Sequence, residues 1–174
     1  MKTLVIHPDD RSTDFLSAIY RDKFDWSVIN INVSDSTLKQ EILSHDRIIM
    51  MGHGTPWGLL GYNKYVITPE FVYLLRDPNK KYVFIWCNAD RFVLRYNLRG
   101  FYTGMFISEI SEAYFFGFYK VNEDIINYSN NLFAETFNKA IDTDNMYNKI
   151  LSEYDNYVQP NPIILFNKER LYER

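Results

Sequence analysis

His53 stands between Gly52 and Gly54 at the exit of an apolar run, Ile48–Met51, and Cys87, the only cysteine of the chain, ends a second such run, Tyr82–Trp86. A cysteine and a histidine leaving neighbouring strands can perform nucleophilic chemistry. The attacking species is a thiolate, and an imidazole within reach can take or hold its proton. Acyl transfer through such a pair also needs donors for the oxyanion of a tetrahedral intermediate, and the N–H groups of Gly54 and Cys87 are the candidates. Four of the seven glycines fall between Gly52 and Gly61. They would let a substrate backbone approach closely, and they equally suit a loop that needs positive φ. The competing reading of Cys87 is a small buried hydrophobe that closes a core strand.

A second cluster follows the first apolar run: His7, Pro8, Asp9, Asp10. The motif resembles the His-Pro-Asp-Asp sequence of PIG-L-type zinc deacetylases, which implies His and Asp as zinc ligands and a further Asp as base. A zinc hydrolase here would use His7, Asp9 or Asp10, and His53. Arg11 occupies the place of that motif's Glu, and no histidine follows His53. One His and one or two Asp from a single loop form an incomplete ligand set. No metal and no cofactor is therefore expected. Within "TPWGLLGYNKY", Trp57 and Tyr62 are candidates for lining a cleft, with a simple packed loop as the alternative.

These residues need elements to position them. Apolar runs alternate with amphipathic segments along the whole chain. Thr3–His7, Trp26–Asn32, Arg47–Met51 and Tyr82–Cys87 read as strands. Ser12–Phe24 reads as a helix capped by Ser12 or Thr13, and a second helix begins at Ser34 or Ser36. Thr68 with Pro69 opens a short helix. Helical material interrupted at Gly100 is expected after Cys87. Ala113–Val121 reads as a fifth strand, Asn122 caps a long helix, Met146–Tyr157 is a further helix, and Pro162–Tyr172 is a closing strand. Strands one, three and four are almost wholly apolar, as parallel strands covered on both faces are.

The expected fold is a single α/β domain over residues 1–174, a three-layer α/β/α sandwich with a mostly parallel, doubly wound sheet. Ligands of such sheets sit at the carboxyl ends of the strands. In the order 2-1-3-4, neighbouring strands are about 4.8 Å apart, and His53 and Cys87 leave adjacent strands at one edge.

Composition bounds the partners. The chain has 174 residues, 47% of them apolar, which suits one domain with a sizeable core. A formal charge of −3 without a dense basic cluster argues against nucleic acid. One cysteine allows no internal disulfide. The apolar start is broken at His7-Pro8, too soon for a signal peptide or a membrane span. A cytoplasmic location, no membrane contact and a protein or peptide as substrate or partner are the expectations.

"MMGHG" followed by "FIWCNA" resembles the His-Gly and Cys motifs of the caspase-like (clan CD) cysteine peptidases, and within them the CHAT domains. The similarity runs in order and character from about Leu4 to Ile141. It implies a caspase-like fold and a cysteine endopeptidase with Cys87 as nucleophile, His53 as general base and the Gly54 N–H in the oxyanion hole. It also implies that the loop after the first strand helps form the substrate pocket, where Asp9 and Asp10 would favour a basic side chain. The family's small residues before the cysteine are replaced here by Ile85-Trp86. That replacement favours a catalytically silent domain of the same fold, acting by protein–protein interaction.

Overall fold

A computed structural model describes residues 1–156 and 161–174. Its centre is a six-stranded sheet in the order β2-β1-β3-β7-β8-β9. The strands are β1 (Thr3–Ile6), β2 (Ser27–Ile29), β3 (Arg47–Met51), β7 (Lys81–Ile85), β8 (Phe101–Thr103) and β9 (Leu171–Glu173). The first five run parallel and β9 pairs antiparallel with β8. β1, β3 and most of β7 are buried, as their apolar runs require.

Strand periodicity divides their side chains between two cores. Leu4, Ile6, Ile48, Met50, Tyr82 and Phe84 face one layer of helices. That layer holds α1 (Asp35–Ser44), two short 3₁₀ turns at Pro69–Phe71 and Leu74–Arg76, and α2 (Ala89–Arg95). Val5, Ile49, Met51, Val83 and Ile85 face the other layer. It contains a 3₁₀ run at Arg11–Ile19, the long α4 (Glu123–Ala140), α5 (Met146–Asn156) and α6 (Pro162–Lys168). The molecule is therefore an α/β sandwich on a mostly parallel sheet. No helix among the described residues is long and apolar enough to cross a membrane.

Several expected elements take another form. The segment after His7 is 3₁₀ rather than α-helical, and Thr13, Leu16 and Ile19 are its buried residues. Their spacing of three matches three residues per turn. Its cap is Asp10, which accepts from the Ser12 N–H, so neither Ser12 nor Thr13 serves as cap. Strand β2 covers only Ser27–Ile29 of the longer stretch. The helix read over Met146–Tyr157 is α5, and its last residue, Tyr157, lies outside the described residues.

Ala113–Val121 is not a strand. Glu109 and Glu112 form a capping box that opens α3 (Ile110–Phe115), and Gly117 at φ +86° turns the chain. Local capping overrode the β propensity of the aromatic residues. The fifth parallel strand is instead β8, within the stretch expected to be helical. It is three residues long and follows Gly100, where a Cβ would lie 2.1 Å from the Tyr82 carbonyl oxygen. The closing segment is helix α6, capped by Asn161 with Pro162 in its first turn, and only Leu171–Glu173 continues as strand. The loop after His53 is a small antiparallel sheet of β4 (Gly54–Thr55), β5 (Gly58–Leu60) and β6 (Tyr65–Ile67).

Candidate active site

Strands β3 and β7 are adjacent and parallel, with Met51 opposite Ile85. The Gly52 N–H donates to the Ile85 carbonyl at 3.0 Å and extends the ladder by one step. His53 and Cys87, each two residues beyond the Met51–Ile85 pair, thus leave the sheet at one carboxyl edge. Both line a cavity of about 20 Å³ together with Thr13, Ile85, Trp86 and Phe106. That is room for about one water.

Cys87 sits at a corner between β7 and α2. The next residue, Asn88, precedes α2 in a left-handed conformation at φ 64°, without a side-chain cap bond, and asparagine tolerates that conformation better than most residues. The Ala89 N–H donates to the Trp86 carbonyl and closes the turn. Trp86 is 2% exposed, and its indole N–H donates to the Thr55 carbonyl at 3.1 Å. A Cβ on Gly54 would meet the Trp86 ring at 2.1 Å. The bulky residue before the cysteine and the glycine after His53 are therefore one packing solution. Gly54 itself is a residue of β4 paired with Leu59, and its lack of a side chain serves the tryptophan.

The Cys87 thiol donates to the Phe106 carbonyl at 3.4 Å. Burial, with the Glu112 and Glu109 carboxylates nearby, pushes the thiol up to about 11. The carboxylates stay close because the stretch before α3 is wound tightly: one Glu112 oxygen accepts from the Ser108 and Glu109 N–H groups at 2.8 and 3.1 Å.

His53 is directed to a different partner. Its Nε2 lies 2.6 Å from Ser12 Oγ, and Ser12 Oγ lies 2.6 Å from Asp10 Oδ1. The same Asp10 oxygen is 3.7 Å from Nε2 and also accepts the Ser12 N–H at 2.9 Å. The Ser12 hydroxyl and N–H, then the His53 ring, hold the Asp10 carboxyl below its usual range. A carboxylate is acceptor-only, so the Ser12 O–H goes to Asp10 and its lone pair receives Nε2–H. That network selects the Nε2–H tautomer and leaves Nδ1 as the basic nitrogen. Ser12 and Asp10 are thus a third and fourth member of the site. Sequence pointed to Asp10 as a pocket residue or a zinc ligand, and to Ser12 only as a cap.

Other candidates lie elsewhere. Asp9 and Tyr62 line a separate pocket beside Ile29–Asn32, to which neither His53 nor Cys87 contributes. Trp57 is 54% exposed, with the Arg95 guanidinium 4.2 Å over its ring. Both nitrogens of buried His7 are engaged, by Tyr20 Oη at 3.1 Å and Thr13 Oγ1 at 3.3 Å. Among the described residues, no three His, Cys, Asp or Glu side chains converge as a metal would require.

The large opening at this edge is a groove of about 860 Å³. Asp10 and Ser12 stand on one wall, Ser108 and Glu109 on another, and α4 on the third through Glu123, Asn127 and Asn130. Phe15 and Ser108 line both the groove and the small cavity, so the two adjoin. The polar stripe at positions 123, 127, 130 and 131 has helical spacing and was visible in the sequence as a polar face on α4. No family model matches this chain, and no curated protein or solved structure matches it.

Proposed function

We propose that the chain is a peptidase-like domain of caspase-like type that takes a protein or peptide in the groove, with Cys87 as nucleophile and His53 as base. The observation that carries the reading is that the two side chains leave adjacent parallel strands at one edge and wall one cavity beside the groove. In the reaction, the Cys87 thiol proton passes to His53 Nδ1, and the sulfur adds to the substrate carbonyl. The C–N bond then breaks, the amine leaves with that proton, and water hydrolyses the thioester. Ser12 and Asp10 act as positioning residues by fixing the tautomer. The resting site holds a thiol, not an ion pair. A value near 11 against the ordinary 9.0 disfavours the thiolate by roughly 3 kcal/mol. Substrate must therefore displace the Phe106 carbonyl before attack.

That same thiol setting favours a second reading, a catalytically silent domain that binds a partner in the groove. Turnover of a fluorogenic peptide-amide library, measured for the wild type and for Cys87→Ala and His53→Ala, separates the two. The peptidase reading expects hydrolysis that both substitutions abolish, with folding intact by circular dichroism. On either reading, alkylation of Cys87 by iodoacetamide in the free protein should be slow at neutral pH and climb towards pH 11, because burial raises the thiol. No turnover by the wild type, or turnover that survives both substitutions, overturns the peptidase reading.

A further inference from the structure

Two adjoining cavities open at the amino ends of the strands, on the edge opposite His53 and Cys87. The larger measures about 520 Å³, and its charged residues are Arg76, Lys80 and Arg99 against one carboxylate, Asp77. The smaller, of about 270 Å³, shares Lys80, Tyr82 and Arg99 with it and adds Lys81 at the start of β7. Asp144 and Glu173 also stand in the smaller one, so the excess of positive charge is clearest in the larger. Gly100 brings Arg99 to this place. Its Cβ would lie 2.1 Å from the Tyr82 carbonyl oxygen, so the chain before β8 is laid directly against the start of β7. A protein of net charge −3 thus gathers three cations about one cavity.

These cations are positioned without being neutralised. Arg76 Nη2 donates to the Tyr96 carbonyl at the end of α2, at 2.8 Å. Lys80 Nζ donates to the Ile42, Leu43 and His45 carbonyls at 2.8, 2.7 and 2.7 Å. Its protons are spent there, offsetting the negative end of α1, and it offers the cavity charge alone. Arg99 is exposed and makes no hydrogen bond among the described residues. None of the three joins an ion pair among the described residues. Asp77 is occupied: its Oδ1 accepts from the Asn79 N–H at 2.9 Å and from Asn79 Nδ2 at 3.1 Å. Closing helix ends explains where Arg76 and Lys80 sit. It explains neither Arg99 nor the cavity that the three share.

We infer that this cavity binds a small organic phosphate monoester, with the Arg76 and Arg99 guanidinium groups on the phosphate and Lys80 adding charge. Such a phosphate carries about −1.5 to −2 at neutral pH, which suits three cations better than the single charge of a carboxylate. Two guanidinium forks match its oxygens bidentately. A volume of about 520 Å³ lies within the range of small-molecule sites and exceeds what a bare oxyanion fills. Leu75, Pro78 and Leu98 line the same cavity and give the organic part an apolar surface. The site depends neither on the reactivity of Cys87 nor on what the groove at the other edge takes.

The test is isothermal titration calorimetry of the wild-type protein with phenyl phosphate, inorganic phosphate and benzoate. Phenyl phosphate should bind at one site, at least tenfold tighter than either of the others, and more weakly as salt rises. Arg99→Gln should weaken it by tenfold or more and Arg76→Gln severalfold. Both side chains are exposed, so the fold should survive, which circular dichroism checks. Arg11→Gln, at the groove on the other edge, should leave the affinity unchanged. In ¹⁵N spectra the amides that shift should gather at residues 76–80 and 97–99. Benzoate binding as tightly as phenyl phosphate, or wild-type affinity in Arg99→Gln, overturns the inference. So does weak binding that inorganic phosphate equals, with shifts scattered over the surface, which means an adventitious ion only. A phosphotyrosine pentapeptide, titrated with the Cys87→Ala protein to prevent cleavage, separates the sources of the phosphate. Binding no tighter than that of phenyl phosphate supports a free small molecule, and binding more than tenfold tighter overturns that assignment in favour of a phosphorylated protein.

Discussion

At the scale of residues, the local environment separates the three histidines by role. His53 reaches the surface and is steered by Ser12 and Asp10. His45 ends α1 and bonds the Glu41 carbonyl and Ser27 Oγ. His7 is 4% exposed, and burial holds its pKa below the ordinary 6.5 against the pull of Asp14, Asp9 and Asp10. In acid the unfolded chain therefore binds a proton that the folded chain resists. Stability from this group is intact above about pH 6.5 and falls as pH drops through the unfolded value. The loss at pH 5.5 is at most about 1.4 kcal/mol, one pH unit below the unfolded pKa. Urea unfolding at pH 7.5 and 5.5 checks this: the stability difference between the two pH values should be smaller in His7→Gln. An identical difference in both proteins would show that His7 does not carry it.

At the scale of elements, the small sheet after His53 depends on two close approaches. Gly58, at φ +146°, would place a Cβ 1.8 Å from the Ile67 carbonyl oxygen, which is backbone and cannot rotate away. At Gly54 the closest clash, at 2.1 Å, is with the Trp86 side chain, which can yield partly, and the nearest backbone atom, the Gly58 carbonyl oxygen, is farther off at 2.8 Å. Gly58→Ala should therefore cost more stability than Gly54→Ala, with Gly54→Ala losing about 1–3 kcal/mol as overpacking does. Gly54→Ala should also change tryptophan emission, since it displaces a 2% exposed indole. Thermal unfolding ranks the two, and the reverse order would mean that β5 and β6 can separate without affecting the rest of the fold.

At the scale of the whole molecule, one side chain ties the helical layer to the site. Asn167 is fully buried. It accepts from the Ile107 N–H at 2.8 Å and donates to the Ile107 carbonyl at 2.9 Å, as a neighbouring strand would. Ile107 follows Phe106, whose carbonyl accepts the hydrogen bond of the Cys87 thiol. Asn167→Leu strands both Ile107 groups and should cost about 2–5 kcal/mol, from one buried N–H and one buried C=O left unpaired. Alkylation of Cys87 should become faster in the same variant at a pH where it remains folded, because the Phe106–Ser108 stretch is freed. Chemical denaturation and the rate of iodoacetamide labelling measure the two effects. Destabilisation without a faster Cys87 would confine Asn167 to a packing role.

The sequence by itself determined the sheet centre and the edge that matters. Apolar runs at Thr3–His7, Arg47–Met51 and Tyr82–Cys87 are local patterns. A parallel sheet built from them leaves His53 and Cys87 at one edge whatever the loops do. Caps were legible for the same reason: Thr68 and Asn122 accept from N–H groups two and three residues on. Tertiary structure decided the rest. Ser12 meets His53 across 41 residues and Phe106 meets Cys87 across 19, and such contacts depend on how loops are laid over the sheet. Three-residue strands such as β8 and β9 carry too few residues for a period to show, and their pairing comes from neighbours. The Cys87 thiol is raised by burial and by carboxylates brought near by the winding of Ser108–Glu112. A residue's charge state follows its surroundings in space, and a linear pattern records only its surroundings along the chain.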